Sequence, residues 1–474
     1  MPSLNVAIVG SGPSGFYAAE HLRKRFPGVA VDMFDRLPTP FGLVRGGVAP
    51  DHQKIKSVTK VYDRVASQAG FRFFGNVNVG TDLTRAELRR FYHAVIYTFG
   101  AQSDRHLGIP GEGLPGSHAA TEFVGWYNGH PDFRDLEFDL AQENVAVVGV
   151  GNVAIDVARI LARTPEELVS TDIADHALEA LRASRVRNIW LLGRRGPVQA
   201  AFTNPELKEL GEMAAADIRV RPEELELDEH SAKALESGED RTAEKNLQTL
   251  QSYAGLPRSG KPRCIHVRFK VSPLELQGSG RVERMVIGRN RLVAGRNGDV
   301  RAEATGETET LDVGLVFRSV GYFGVSLPDV PFDSKRGVIP NTRGRVEEAP
   351  GTVSRGEYVS GWIKRGPSGV IGSNKPDAVE TVDALLEDQR AGALPEPSAP
   401  VSSLHQVLAE RHVRFVTYDD WRRLDELERA NGAAQGRPRL KFTRIDEMLA
   451  ALALPASTAR SESHPSLRPH RATR

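Results

Sequence analysis

Two glycine-rich turns, about 140 residues apart, carry the clearest chemistry in this chain. In the first, Gly10, Gly12 and Gly15 have the spacing G-x-G-x-x-G directly after an apolar segment. In this pattern the first glycine permits a tight turn, the second admits a pyrophosphate to the backbone, and the third lets the following helix pack closely on its strand. Free N–H groups at the start of that helix meet the phosphate charge. The turn therefore predicts a dinucleotide site.

The acid that accompanies such a turn is Asp35. It ends the next apolar segment, about 20 residues beyond Gly15, where a carboxylate accepts a hydrogen bond from a ribose 2′-hydroxyl. A glycine pattern by itself would be weak, because a tight turn without a ligand uses the same residues. With its strand, helix and acid present, the first turn favours a dinucleotide site.

The second turn differs from the first at two positions. Gly149 and Gly151 are present, but Ala154 takes the third place. The next predicted strand ends in Arg194 and Arg195 instead of an acid. A carboxylate there would repel a 2′-phosphate, whereas paired guanidiniums bind one in fork geometry; an exposed basic turn is the alternative. The position favours NADP(H) in the second site. FAD is then predicted in the first, because an enzyme with two dinucleotide sites can pass a hydride from a nicotinamide to a flavin.

The composition limits the class of protein. The chain has 474 residues, and its 62 basic residues nearly cancel its 61 acidic ones, for a net charge of +1. This balance gives no general indication of binding to nucleic acid or to a membrane.

No apolar run approaches the ~18 residues that span a bilayer. A strand is expected from about Leu4, which leaves no room for a cleavable signal. The single cysteine, Cys264, excludes an intrachain thiol pair. A soluble, cytoplasmic protein without a metal site is expected.

The pattern of apolar segments predicts an α/β fold with two Rossmann-like modules. Strands, glycine turns and helices alternate up to about residue 200, and each module closes with a nearly continuous apolar run, at 93–101 and at 313–324. A Pro/Ala/Ser-rich linker at 391–403 leads to a small helical appendage, and residues 460–474 are predicted to be disordered.

Four motifs resemble the adrenodoxin reductase type of ferredoxin–NADP reductase, particularly its actinobacterial members. They are "PTPFGLVRGGVAPDHQKIKS" (38–57), "GNVAIDVARIL" (151–161), "GRRGPVQAAF" (193–202) and "GWIKRGPSGVIG" (361–372). The resemblance follows the same motif order from the amino terminus to about residue 390. It implies that the chain binds FAD and NADP(H) and exchanges electrons with a ferredoxin-type iron–sulfur protein.

The resemblance also implies a discontinuous FAD-binding domain that is interrupted by the NADP-binding domain. Residues 1–104 and 322–395 would form the FAD-binding domain, and residues 105–321 the NADP-binding domain. Residues 396–474 would form a C-terminal appendage with a disordered tail, to which we assign no chemistry.

Cofactor contacts follow from the resemblance position by position. For FAD it implies Ser14, Gly15, Asp35, Leu43, Val79, Trp362, Gly369, Val370 and Ile371. For NADP(H) it implies Val150, Gly151, Asn152, Val153, Arg194, Arg195, Glu206 and Gly369. The family more often has Glu where this chain has Asp35, and Ala where it has Ser14. The shorter acid still accepts the ribose bond.

The segment that begins at Gly366 has an interpretation of its own. Its glycines bring backbone close to a ligand, and a helix follows. If the helix start faces the pyrimidine edge of the flavin, its partial positive charge favours the anionic reduced form. The alternative is an ordinary glycine-rich turn. Trp362, beside this turn, is predicted to lie over the flavin or the nicotinamide, although a lone tryptophan is more often a core residue.

His52 and Glu209 are the candidate acid–base residues. A hydride that arrives at the flavin and electrons that leave singly change the proton count, so a titratable neighbour is useful. His52 precedes a predicted helix, where a lone histidine is usually structural. Glu206 and Glu209 share one face of a predicted first helical turn, where acids are also favourable charges. The resemblance supports His52 and Glu209 as catalytic.

The predicted activity is hydride transfer from NADPH to FAD, then single-electron transfer to a ferredoxin, with a cytochrome P450 as one candidate downstream acceptor. A FAD/NADPH-dependent monooxygenase or diaphorase is an alternative, and so is a redox-sensing module that holds both nucleotides without turnover. A monomer is expected.

Because ferredoxins are generally acidic, a basic docking face near the flavin is predicted. The candidates for it are Arg182, Arg185, Arg187, Arg241 and Lys245.

Overall fold

The computed structural model describes residues 4–236, 238, 240–295 and 300–452. The tail at 460–474, predicted to be disordered, lies outside the described residues. Within the described ranges, no helix is both long enough and apolar enough to cross a membrane.

The first part of the chain alternates short strands with helices. In chain order its elements are β1 (Asn5–Val9), α1 (Pro13–Arg25), β2 (Ala30–Phe34), α2 (Leu43–Gly46), α3 (Gln53–Lys56), α4 (Thr59–Ala66), β3 (Phe71–Phe74), α5 (Arg85–Phe91), β4 (Ala94–Tyr97) and β5 (Ser103–Asp104). All four residues of β4 are buried, as its unbroken apolar sequence predicts. Proline at the first position of α1 removes an N–H that the helix would leave without an intrahelical partner.

The middle part repeats this plan. Its elements are β6 (Ser117–Ala119), α6 (Ala120–Tyr127), β7 (Asn144–Val148), α7 (Asn152–Ala162), α8 (Pro165–Leu168), α9 (Asp175–Arg182), β8 (Asn188–Leu192), α10 (Asn204–Gly211), β9 (Ala216–Val220), α11 (Glu229–Glu236), α12 (Arg241–Ala254), β10 (Arg263–Arg268), β11 (Val271–Gln277), β12 (Arg284–Ala294), β13 (Val300–Asp312) and β14 (Leu315–Arg318). Most of α7 is buried, so even its charged Arg159 lies in the interior.

The last part contributes strands and then only helices. Its elements are β15 (Tyr322–Phe323), β16 (Asn341–Thr342), β17 (Arg345–Ala349), β18 (Thr352–Val359), α13 (Trp362–Arg365), α14 (Asn374–Arg390), α15 (Leu404–Glu410), α16 (Tyr418–Ala433) and α17 (Ile445–Ala451). The predicted apolar run at 313–324 is divided between β14 and β15, because Gly321 turns the chain there with a φ of +112°.

Two parallel sheets organise the molecule. The first has the order β16-β17-β18-β4-β1-β2-β3, in which only the β16–β17–β18 edge is antiparallel. The second has the order β6-β14-β7-β8-β10-β9 and is parallel throughout. In each sheet the strand before the glycine turn, β1 or β7, is where the strand order reverses. Open α/β sheets bind their ligands at such a switch point.

The inserted arrangement of the two modules is visible in the connections. The chain leaves the first sheet through β5 and returns through β15, and these two strands pair with each other in antiparallel fashion. The first sheet therefore takes strands from before and after the second, so the predicted fold class is confirmed. A three-stranded antiparallel sheet, β11-β12-β13, extends the inserted module.

The C-terminal helices pack against the core of the first module. Tyr418, Trp421 and Met448 are buried together with Phe16 and other core residues of the first module. The Trp421 and Phe41 rings meet edge to face with centroids 5.7 Å apart. The helices predicted to form a C-terminal appendage therefore share the core of the first module, and their apolar positions complete it.

Candidate active site

The first glycine turn uses its three glycines in three different ways. Gly10 has a φ of +109°, and a Cβ there would lie 2.6 Å from the Phe99 backbone. A Cβ on Gly12 would meet no atom of the described residues within 4 Å, so the turn is open at this point. A Cβ on Gly15 would collide with the Gly10 carbonyl oxygen. Only Gly12 thus leaves space at the helix start, where backbone N–H groups attract phosphate.

The second turn has the same shape. Gly149 has a φ of +136°, and a Cβ there would collide with the Ser319 carbonyl oxygen. Gly151 leaves open space within 4 Å among the described residues, as Gly12 does. Ala154, at the third place, is fully buried, so its methyl group fits without a glycine. The two turns are therefore equivalent in backbone geometry, although their sequences differ.

Asp35 is bound to the first turn. Its Oδ2 accepts hydrogen bonds from Ser11 N at 3.1 Å and Ser11 Oγ at 2.5 Å, and its Oδ1 accepts one from Leu37 N at 3.0 Å. Burial raises the pKa of Asp35. The carboxylate thus fixes the turn, and Asp35 also lines a cavity beside it. The Ser11 contact was not predicted, because it joins two residues that are 24 positions apart in the sequence.

A cavity of about 710 Å3 begins at the first turn and extends between the two modules. The predicted residues that line it are Gly10, Gly12, Ser14, Asp35, Leu43, His52, Val79, Asn152, Val153, Glu206, Trp362, Gly369, Val370 and Ile371. Further predicted residues lie outside its described walls: Gly15, Val150, Gly151, Arg194, Arg195 and Glu209. Residues 121–133 of the inserted module form an additional wall that was not predicted.

The glycine-rich segment after Trp362 lines part of this cavity. The Trp362 Nε1 donates a hydrogen bond to the Ser368 carbonyl oxygen at 3.1 Å, and its ring lies 5.2 Å from that of Tyr322. Gly369 has a φ of +80°, a conformation that favours glycine. Gly372 and Asn374 line the cavity, so the N-terminus of α14 contributes to its wall. The helix start that was predicted to face a flavin therefore borders this cavity.

Arg194 and Arg195 lie beside the second turn. Gly149 N donates to the Leu192 carbonyl oxygen at 2.8 Å, which joins the turn to the end of β8. Asn290 Nδ2 donates to the Arg194 carbonyl oxygen, and Lys270 N donates to that of Arg195. The backbone that carries the guanidiniums is thus held in place, while the Arg194 side chain is exposed.

His52, Glu206 and Glu209 come together at the boundary of the modules. His52 Nε2 lies 2.9 Å from Glu209 Oε2 and 3.6 Å from Glu206 Oε2. Burial raises the pKa of Glu206. The three side chains are close enough to share a ligand ion, but Arg159 Nη1 already lies 3.3 Å from both carboxylates. A cation is therefore present in this cluster, and we assign no metal to it.

Known proteins resemble this chain along nearly its whole length. The model of the family described as pyridine nucleotide-disulphide oxidoreductase matches residues 4–189. NADPH-ferredoxin reductase FprA of Mycobacterium leprae is 49% identical over 455 residues, which covers 94% of this chain and 97% of that protein. The mitochondrial NADPH:adrenodoxin oxidoreductase of Arabidopsis thaliana is 42% identical and covers 95% of each chain. This chain belongs to the NADPH-ferredoxin reductase family.

A solved structure of the family agrees with the fold. Mycobacterium tuberculosis FprA in complex with NADPH superposes with a TM-score of 0.89 at 47% identity, over 95% of this chain and 100% of that one. The predicted family and the assignment as an oxidoreductase are thus confirmed. The similarity extends well past residue 390, where the sequence motifs ended, so the C-terminal helices belong to the family fold.

Those helices supply contacts that the sequence did not predict. Glu428 is fully buried and accepts hydrogen bonds from Arg45 at 2.5 and 2.8 Å and from Arg439 at 3.1 Å. Lys441 Nζ donates to the carbonyl oxygens of Arg45 and Asn128, both of which line the cavity, and Met448 lines it directly. No local motif could reveal the contacts of Glu428 with Arg45 and of Lys441 with Asn128, because these partners lie 383 and 313 positions apart.

A matched pair of variants at the open glycines separates the two turns. Gly12→Val places a branched side chain in the open space of the first turn, so the purified protein should lack FAD. Gly151→Val should retain FAD and raise the KM for NADPH by at least about tenfold, since one lost phosphate contact costs about 1.4 kcal/mol or more. The flavin absorbance of the purified proteins and steady-state kinetics measure both effects. Normal FAD content in Gly12→Val would contradict the assignment of the first turn.

Proposed function

We propose that this chain is a ferredoxin–NADP+ reductase that oxidises NADPH and reduces a ferredoxin-type iron–sulfur protein. The observation that carries the proposal is the pair of equivalent glycine turns whose helix starts line one cavity. The names of the relatives, NADPH-ferredoxin reductase and NADPH:adrenodoxin oxidoreductase, support the same activity. Cys264 is the single cysteine, so a thiol-pair mechanism is excluded for this chain.

The cavity and the first turn fit FAD. The open space at Gly12 would take its pyrophosphate, Asp35 would accept a bond from its ribose, and the N-terminus of α14 would face its ring system. The other residues we assign to FAD are Gly10, Ser14, Gly15, Leu43, Val79, Trp362, Gly369, Val370 and Ile371. When bound, FAD would supply the redox chemistry by accepting the electron pair of a hydride and releasing the electrons singly.

The second turn fits NADPH. The open space at Gly151 would take its pyrophosphate, and Arg194 with Arg195 would bind its 2′-phosphate. The other residues we assign to it are Val150, Asn152, Val153, Glu206 and Gly369. The domain limits stay as predicted for 1–104, 105–321 and 322–395. The pairing of β5 with β15 supports the two limits at which the chain passes from one domain to the other.

His52 and Glu209 would manage the proton of the reaction. One NADPH and two oxidised ferredoxins yield one NADP+, two reduced ferredoxins and one proton. The His52 Nε2 and Glu209 Oε2 atoms, 2.9 Å apart, can hold a proton between them and pass it on. His52 lines the cavity, while Glu209 is 38% exposed and offers the route to solvent.

We propose a smaller basic docking face than the five residues named from the sequence. Arg185 and Arg187 precede β8, whereas Arg194 and Arg195 follow it, so the five residues of this strand separate the two pairs by about 16 Å. Arg241 and Lys245 are exposed on α12, which packs on α10 through hydrogen bonds from Asn204. We therefore place the ferredoxin contact on α12. A cytoplasmic monomer remains our proposal for location and oligomeric state.

Charge reversal tests both the activity and the docking face. Arg241→Glu with Lys245→Glu should raise the KM for an acidic ferredoxin roughly threefold to tenfold and leave the KM for NADPH unchanged, because rim charges act mainly on association. The rate of ferredoxin reduction by the wild type should also fall as salt is raised above about 0.15 M, because charge–charge attraction is then screened beyond ~8 Å. The rate of ferricyanide reduction should change little.

Arg182→Glu with Arg185→Glu is the matched control, since it reverses two exposed charges at the other end of β8. Equal effects of the two double variants would reject the docking face but not the reductase activity. An enzyme that oxidises NADPH only together with oxygenation of an organic substrate would contradict the proposed function and favour the monooxygenase alternative.

A further inference from the structure

Arg159 is a buried cation that no part of the sequence analysis assigned. It lies on α7, its side chain is fully buried, and it faces the segment before α3 of the first module. Its Nε donates to Asp51 Oδ2 at 2.7 Å, and its Nη2 donates to Asp51 Oδ1 at 3.1 Å and to Asp156 Oδ1 at 2.7 Å. A cation that binds Asp51 of one module in bidentate fashion and Asp156 of the other through one hydrogen bond is held rigidly.

The remaining contacts of this guanidinium reach the candidate acid–base pair. Its Nη1 lies 3.3 Å from Glu209 Oε2, the same oxygen that lies 2.9 Å from His52 Nε2. Its Nη2 lies 3.5 Å from His52 Nδ1. A single side chain thus borders both members of the pair.

The chemistry of arginine determines where the imidazole carries its proton. A guanidinium has only donors, so a neighbouring ring nitrogen is favoured as an acceptor without a proton. The positive charge beside Nδ1 opposes a proton there. Arg159, at 3.5 Å from Nδ1, therefore favours the His52 tautomer with its proton on Nε2, which faces Glu209, against the more distant Asp156 Oδ1 at 3.9 Å from Nδ1.

The cluster around Arg159 is crowded with acids. Burial raises the pKa of Asp156, whereas at Asp51 the bonds and charge of Arg159 outweigh burial and hold the pKa below its usual value. Without Arg159, the acids would face each other with less positive charge between them. The titratable and charged groups that face the cluster are Asp51, His52, Tyr127, Asp156, Arg163, Glu206, Glu209 and Tyr322.

We propose that Arg159 is a positioning residue for flavin reduction: it fixes the Nε2-protonated form of His52 and keeps Glu209 as the partner of that proton. The proposal rests on the proposed function, because it gives His52 and Glu209 a role in the NADPH reaction. Arg159 lies outside the cavity walls that the described residues form, so it acts through its neighbours.

Arg163 provides a matched control. It also binds Asp51, through Nε at 2.8 Å, and pairs with Glu167, but its described contacts do not include His52 or Glu209. If Arg159 only tethers the modules through Asp51, then Arg163→Met and Arg159→Met should have similar effects. If Arg159 positions the pair, only Arg159→Met should change the chemistry.

The test is the rate at which NADPH reduces bound flavin, measured by anaerobic stopped flow from about pH 5.5 to about pH 9 for the wild type, Arg159→Met, Arg159→Lys and Arg163→Met. Arg159→Met should retain FAD, slow flavin reduction roughly tenfold to hundredfold and displace the pH–rate midpoint. Arg159→Lys keeps the positive charge but loses the bidentate geometry of the guanidinium, so it should reduce flavin faster than Arg159→Met and more slowly than the wild type. Arg163→Met should stay within about threefold of the wild type with the same midpoint.

A double-mutant cycle with His52→Gln decides whether Arg159 acts through His52. Arg159→Met should cost much less in the His52→Gln background than in the wild type, because coupled residues are not additive. Equal losses in both backgrounds, or an unchanged pH profile, would overturn the proposal. If Arg159→Met does not fold, the same cycle with Arg159→Lys gives the answer. Failure of NADPH to reduce wild-type flavin would instead reject the proposed function.

Discussion

Replacing Arg194 and Arg195 together with alanine should remove most of the preference for NADPH over NADH. Each guanidinium is expected to form charge-assisted bonds to the 2′-phosphate, worth about 1.5–3 kcal/mol each. The ratio of kcat/KM for NADPH to that for NADH should therefore fall by at least one decade per arginine, since about 1.4 kcal/mol is tenfold. NADH has no 2′-phosphate, so its own kcat/KM should change little.

The control for this experiment lies at the other end of the same strand. Arg185 and Arg187 are exposed and precede β8, so Arg185→Ala with Arg187→Ala removes the same charge without touching the turn. The control should keep the NADPH preference. An unchanged ratio in the Arg194/Arg195 double variant would show that the 2′-phosphate binds elsewhere.

Glu428→Ala should destabilise the protein and release FAD. The side chain of Glu428 is fully buried, and its loss leaves the guanidiniums of Arg45 and Arg439 without this counter-ion. Removing one partner of a buried ion pair costs roughly 3–5 kcal/mol. Because Arg45 also lines the cavity, flavin release on heating should follow the loss of structure. Flavin fluorescence during a thermal ramp should show a transition lowered by the order of 5–10 °C.

Glu426→Ala is the matched control for this variant, since Glu426 lies two positions earlier on α16 and is exposed. Its transition should stay within about 1 °C of the wild type. Glu428→Gln should give an intermediate value, because the amide oxygen still accepts one bond but carries no charge. Equal transitions for Glu428→Ala and Glu426→Ala would contradict the structural role of the C-terminal helices.

The sequence predicts the parts of this molecule that depend on local chemistry. Gly10, Gly12 and Gly149 have roles that follow from backbone conformation alone, and the structure gives them the expected space and φ values. The apolar strands beside them follow from an unbroken hydrophobic pattern. His52 and Glu209 were named as acid–base candidates with the support of a family resemblance, but their contact was not predicted, since 157 positions separate the two residues.

The parts that the sequence did not predict are contacts between distant charges. Arg159 belongs to a helix whose pattern indicates burial, but nothing local shows that Asp51 and Glu209 meet it there. The sequence pattern that points to an ion pair at Arg159 is its spacing of three positions from Asp156. Such a spacing usually marks an exposed pair. Glu428 and Lys441 were missed for the same reason, because their partners are Arg45 and Asp172. Long-range ion pairs need the fold to be known first.

The central claim is that electrons pass from NADPH to a flavin in this chain and then singly to a ferredoxin. An anaerobic stopped-flow experiment in two stages tests it most directly, with NADPH mixed first and an oxidised ferredoxin second. The account predicts that the flavin absorbance is lost rapidly in the first stage. In the second stage the flavin absorbance should return while two ferredoxins are reduced for each NADPH consumed. Flavin that NADPH does not bleach, or bleached flavin that reduces no ferredoxin, would contradict the account.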